Sequence, residues 1–225
     1  MKIAQLLRLL TWSSPSFPTG AFSYSHGIEF AVEEGLVANA AQLQEWVGWI
    51  VRRGALYADA TLLAHAQRAA EAGDNARLDE VAEIAAAMRG TAETATESLQ
   101  QGASFFDTAQ AVWPSKRIAA FLERTGAKPA LPVAVALACA GTIPLPEALA
   151  AYLHAGAANL VSAGVRLVPL GQTDGQRSIA ALEGAVTETV ARAMATALDD
   201  LCTAAPMVDW TSMRHETQYT RLFRS

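Results

Sequence analysis

The side chains with most chemical potential in this chain are four histidines, two cysteines and a group of arginines and aromatics near the C-terminal end. His26, His65, His154 and His215 lie far apart, and none has a cysteine or second histidine at ligand spacing, so no metal site is expected. His215-Glu216 begins like a zinc-protease helix, but Thr217, Gln218 and Tyr219 follow and the second histidine is missing. No lysine follows a glycine, which rules out a P-loop, and no Gly-x-Ser-x-Gly elbow occurs. These absences exclude those particular chemistries, and neither catalytic residues nor a cofactor are expected. His154, in an apolar run, reads as a hydrogen-bonded core histidine. Cys139 and Cys202 read as buried free thiols in apolar helical surroundings.

Three segments are unlike the alanine-rich remainder. Ser13 to Glu29, SSPSFPTGAFSYSHGIE, combines two prolines, two glycines, five serines and three aromatics, the composition of a loop with one fixed shape. Phe17, Phe22 and Tyr24 would anchor it. In Ser162 to Gln176, Arg166 is the one charge near the end of an apolar helix, favoured there by the helix dipole or serving as an interface anchor. The last segment, AAPMVDWTSMRHETQYTRLFRS, mixes Trp210, Tyr219 and Phe223 with Arg214, Arg221 and Arg224. A tail without function is more usually small and polar, and tyrosine and arginine often dominate interface energies. The tail therefore either packs on its own domain or orders on a partner, and partner docking is the expectation. If it is helical, Tyr219, Leu222 and Phe223 share a face.

The elements that would position these segments are helices. Leu43, Trp46, Val47 and Ile50 fall at i, i+3, i+4, i+7 behind Asn39 and Gln42, a capping-box pair. Leu78, Val81, Ala82, Ala85 and Met88 repeat the pattern, as do Gly102, Phe105, Phe106, Ala109 and Val112. Ile179, Leu182, Val186, Val190, Ala193 and Ala197 predict one long final helix, with a second capping box at Thr173 to Gln176. Breakers at Gly35, Gly54, Gly73, Pro114, 126–129, 141–146 and 169–175 divide the chain into some eight to ten helices. No strand alternation is sustained. The fold class is all-α: one domain, 1–203, with a C-terminal docking tail, 204–225.

Pro129 to Leu170 is the most apolar stretch. Its first run stops at Gly141 and Pro144, short of the roughly 18 residues a membrane span needs. Its second run is rich in alanine and carries Glu147, His154 and Arg166, which predicts buried central helices. Small residues such as Gly156 and Gly164 would let neighbouring helix backbones approach. A net charge of −5 with only three lysines argues against a nucleic-acid partner. The N-terminal run MKIAQLLRLLTW, interrupted by Gln5 and Arg8, has no small-residue cleavage site after it, so a cytoplasmic location is expected and no membrane association.

Together SSPSFPTGAFSYSHGIEFAVEEGLV, AGVRLVPLGQ and RHETQYTRLFRS, in this order and spacing, resemble the UreF family of urease accessory proteins. The resemblance covers essentially the whole chain. It implies an all-α, dimeric, non-enzymatic protein that bridges a second accessory protein (UreD, also called UreH) and the nickel-carrying GTPase UreG. That assembly would dock on apo-urease, whose active site receives nickel. By position, Arg214, His215, Glu216, Tyr219, Arg221, Leu222, Phe223 and Arg224 belong to the motif implied to meet UreD/UreH. Arg166, Pro169, Gly171 and Gln172 belong to the motif placed on the UreG side. Between Met88 and Ser104, Ala92 and Ala95 stand where arginines are common in the family, so no charged contact role is expected of that helix. The alternative is a metallochaperone holding nickel through His26, His154 or His215 with a cysteine.

Overall fold

In a computed structural model describing residues 1–225, the chain folds into twelve α-helices and two 3-10 turns without a strand. α1 is Ile3–Trp12, α2 Ile28–Glu33, α3 Ala40–Arg53, α4 Ala55–Ala72, α5 Asn75–Ala87 and α6 Ala92–Val112. α7 is Lys116–Thr125, α8 Leu131–Cys139, α9 Leu145–Leu167, α10 Gln172–Ala181, α11 Glu183–Ala195 and α12 Pro206–His215. The all-α architecture follows from the 3.6-residue apolar spacing, and Leu43, Val47 and Ile50 are all fully buried. Asn39 caps α3 as expected, its side chain accepting from the Gln42 N–H at 3.0 Å.

α4 is the axis of the molecule. It packs against α3, α5, α8, α9 and α11, and it buries residues on every side, from Leu56 to Ala70. Its alanines leave room for neighbours all round, which is what a central helix requires. α9 is long and apolar enough to cross a membrane by length and composition. Here it lies against α2, α3, α4, α10 and α11, burying Leu149, Leu153, Leu160 and Val161. One face remains more open, and His154 is exposed on it rather than bonded in the core.

Trp12, Phe17, Phe105 and Trp113 fasten α1 and the following loop to α6, with Trp12 edge-on to Phe105 at 6.1 Å and to Trp113 at 5.7 Å. The opposite side of α1 leaves Ile3, Leu6, Leu7 and Leu10 exposed. Of the three loop aromatics, Phe17 and Tyr24 are buried anchors but Phe22 points outward, 66% exposed.

Several expectations are revised. The apolar stripe from Ile179 to Ala197 is two helices that break at Leu182, neither of them the last. The break carries no glycine or proline. Leu182 ends α10 and starts α11 with its side chain buried, and Gly184 follows in the first turn of α11. α10 starts at Gln172 behind Gly171, without a side-chain cap, so Thr173 to Gln176 is not a capping box. Gly156 and Gly164 receive the side chains of Leu56 and Leu43, not a neighbouring backbone. Among the helix-interior glycines the close backbone approach is at Gly102, where a Cβ would meet Leu131 N at 2.6 Å and Ala130 C at 2.7 Å. Cys139 is buried, and burial pushes its thiol up to about 12. Cys202 is exposed in a non-helical segment.

Candidate functional site

The three unusual segments meet at one end of the bundle. α12 lies across α2 and α6, and residues 216–225 return over the loop of residues 13–27 without forming a helix. α12 can lie against the loop because Gly27 has φ +75° and no side chain: a Cβ there would stand 2.5 Å from Ser212 N and 2.8 Å from its Cα. Gly27→Ala is therefore expected to displace α12, costing about 2 kcal/mol or more through overpacking and left-handed strain. Hydrogen exchange should show faster exchange across 206–225 while α4 and α9 keep wild-type protection.

Three largely buried glutamates hold the docked tail, and an exposed fourth, Glu33, accepts from the Gln218 side chain. Glu29, at the start of α2, accepts from the backbone N–H groups of Leu222 at 2.6 Å and Phe223 at 2.9 Å, and lies 3.1 Å from His215 Nε2. Glu93 and Glu97 share one face of α6 at i, i+4 spacing. Glu93 meets His215 Nδ1 at 2.7 Å with one oxygen and accepts from Arg221 Nη1 at 2.7 Å with the other. Glu97 lies 2.9 Å from His26 Nε2 and accepts from Gln101 at 2.8 Å and from the Ser225 hydroxyl at 2.9 Å. His215 and Ser225 have no exposed surface.

Backbone bonds close the junction. Ser25 N–H donates to the Ser225 carbonyl at 2.9 Å, and Arg224 N–H to the Ser23 carbonyl at 2.7 Å. Thr91, the N-cap of α6, shares a 2.8 Å hydrogen bond with Ser212 of α12. Glu216 accepts from the free Ala92 N–H at 3.2 Å, placing a carboxylate on the positive end of α6. Arg166, at the end of α9, donates to the Phe22 carbonyl at 3.0 Å and lies 4.3 Å over the Phe223 ring. Partial burial lowers its pKa from the ordinary arginine value.

His26 is the one non-glycine residue with positive φ, +53°. Burial by itself favours its neutral imidazole, but the charge and hydrogen bond of Glu97 outweigh burial and leave the pKa raised above 6.5. The raised value means that the pair's contribution is complete below the ordinary histidine pKa and is lost as pH rises through the folded one. Denaturant melts of the wild type and His26→Asn should therefore differ most near about pH 6 and converge toward about pH 9.

Beside this junction is a cavity of about 480 Å3 between α1, α6, α8 and α9, reached by Trp12, Asp59, Arg89 and Tyr152. Arg89 pairs with Asp59 at 2.6 Å and donates to Ser98 at 2.7 Å, while the Tyr152 hydroxyl donates to Asp59 at 2.7 Å. Burial, with the Asp59 charge second, holds the Tyr152 phenol well above its usual pKa. This is a buried ion pair with its hydrogen bonds supplied, tying α4, α6 and α9 in register.

The structure thus divides the tail residues. His215 and Phe223 face inward, Arg221 ties to Glu93, and Glu216 caps α6. Tyr219, fully exposed, and Leu222 point outward with Arg214 and Arg224, so Tyr219, Leu222 and Phe223 share no face. Arg166 joins the tail, whereas Pro169, Gly171 and Gln172 are exposed on the α9–α10 turn. Glu29, Glu93 and Glu97 are the residues that motif reasoning passed over. The helix expected to carry no charged contact supplies two of the three, both to the chain's own tail. A pair of glutamates at i, i+4 in an alanine- and threonine-rich helix was the available signal. No group of three or more His, Cys, Asp or Glu side chains is arranged to hold a metal ion.

The fold and this junction define an all-helical chain whose C-terminal segment is clamped onto its N-terminal loop, presenting an arginine- and aromatic-bearing outer surface. Residues 37–183 match the UreF family. Proteins named urease accessory protein UreF are 53% identical in Granulibacter bethesdensis, 51% in Rhodopseudomonas palustris and 46% in Bradyrhizobium diazoefficiens. Each comparison covers 99% of this chain, and 94%, 93% and 92% of the respective relative. The chain belongs to the UreF family.

Proposed function

We propose that this chain is a non-catalytic urease accessory protein that bridges UreD/UreH and the GTPase UreG for nickel insertion into apo-urease. It works in the cytoplasm as a homodimer within that assembly, and residues 204–225 serve as the partner-binding segment. The observation that carries this reading, beside family membership, is the outward surface of the docked tail. Tyr219 and Leu222 stand exposed beside Arg214 and Arg224, and Met207, Trp210 and Met213 are exposed on α12. Such apolar area on a tail held rigid by buried carboxylates suits a preformed docking surface, because little ordering entropy remains to oppose binding. The turn carrying Pro169, Gly171 and Gln172, with Arg166 at its base, is the surface proposed for UreG.

Truncation after Pro206 is a poor test, since it also removes His215, Phe223 and Ser225 from buried positions. The outer face alone should be changed. The double variant Tyr219→Ala, Leu222→Ala is expected to melt with the wild type yet lose UreD/UreH capture by about thirtyfold or more, the scale of interface hot spots. Light scattering after size exclusion, with and without UreD/UreH and UreG, reads both stoichiometry and loss. Unchanged affinity in the double variant would remove the tail from the interface.

A further inference from the structure

His215 is fully buried, with a carboxylate oxygen at each ring nitrogen, Glu93 at 2.7 Å and Glu29 at 3.1 Å. A neutral imidazole carries one N–H. Both contacts are hydrogen bonds only if both nitrogens carry protons; otherwise a ring lone pair faces a carboxylate at a fully buried position. The charge count agrees. The groups facing the ring are Glu29 from α2 and Glu93 from α6, with Arg221 across the second oxygen of Glu93. Arg214, on α12 itself, turns away to lie 5.7 Å over Phe30. With an imidazolium the two carboxylates are balanced by His215 and Arg221; with a neutral ring one buried negative charge is uncompensated. The same Glu29 carboxylate receives the Leu222 and Phe223 N–H groups, so whatever His215 does to Glu29 reaches the end of the chain.

We infer that His215 is a proton-operated latch: its imidazolium, bridging Glu29 and Glu93, holds residues 216–225 on the body, and its deprotonation releases them. The latch does not depend on which partner binds the outer face of the docked tail. His26, paired with Glu97 beneath Ser225, acts in the same direction at the far end of the tail. It is the second titrating group the experiment must separate.

The test uses the full chain. Hydrogen exchange of residues 216–225, corrected for the intrinsic pH dependence of exchange, is followed from about pH 6 to about pH 9, from within the ordinary histidine range to above it. Ring nitrogen shifts of His215 are recorded in parallel. Protection of the tail is expected to fall by about ten- to a hundredfold with rising pH, the effect of losing one charge-assisted hydrogen bond, while both ring nitrogens are protonated at the acid end. His26→Asn should keep most of that dependence. His215→Gln should start loosely held and show a flat profile. Glu93→Gln, which lets a neutral ring be satisfied, should flatten the profile with the tail still docked, and this keeps the test decisive should His215→Gln fold poorly. A singly protonated ring in the docked state at about pH 6 would overturn the latch. So would a wild-type profile flat through the titration of His215, or a pH dependence abolished by His26→Asn and retained in His215→Gln.

Discussion

Replacing Glu29 by alanine is expected to free residues 216–225 while the helical body stays folded. The Glu29 carboxylate accepts from the Leu222 and Phe223 N–H groups and faces His215, so one substitution removes the partner of three donors. Stripping one member from a buried hydrogen-bonded charge cluster costs about 3–5 kcal/mol, because the groups left behind are desolvated and unpaired. The tail escapes that penalty by leaving, so the loss appears as tail release rather than global unfolding. Exchange across 216–225 should approach that of an unstructured peptide, and the main melting transition should move by only a few degrees. Glu29→Gln, which keeps one acceptor oxygen, should fall between the two. Wild-type protection of the tail in Glu29→Ala would show that Glu93, Glu97 and the Ser25–Ser225 bond suffice without it.

The second large effect is at Gly102, and it strikes the fold. A Cβ there would meet the Pro129 carbonyl oxygen, Leu131 N and Ala130 C, all backbone atoms at the start of α8, none of which can swing aside. Alanine gains about 1 kcal/mol over glycine in helix propensity. Against that, inserting a methyl group into a packed contact costs about 1–3 kcal/mol and more where backbone must move. The clash wins, and Gly102→Ala should lower the urea midpoint by the equivalent of about 2 kcal/mol. Gly184, in α11, is the matched control. Its Cβ position is empty to 4 Å, so Gly184→Ala should stabilise by about 0.5–1 kcal/mol. A neutral Gly102→Ala would mean that α6 and α8 are less tightly joined than their geometry states.

Helices α3, α5 and α6 were legible because their apolar residues repeat at helical spacing, and the Asn39 cap was legible because capping is a three-residue event. The break at Leu182 was not. No proline lies near Leu182, and Gly184, two residues on, is only a weak breaker; the buried Leu182 side chain marks where the two helices join. His154 shows the converse error, since an apolar neighbourhood in sequence says nothing about which helical face is covered. The candidate site was legible as three odd segments and a family resemblance, and family membership is now shown for the chain. Its working parts were less so. Arg166 was singled out, but that it would lie on Phe223 could not be read from a spacing of that length.

By itself, then, the amino-acid sequence determined the all-α class, most helix boundaries, the family, and which segments are not ordinary core. All of these depend on residues near one another in the chain or on motif order. Only the tertiary structure decided which tail residues face inward and what receives them. Ser25 meets Ser225, and Glu29 meets Leu222 and Phe223, because α2, α6 and α12 come together at one end of the bundle. Helical periodicity predicts that a face will be buried but not against which partner. The three glutamates become a clamp only when packing brings buried donors to them, since a carboxylate in water has no need of any particular hydrogen bond.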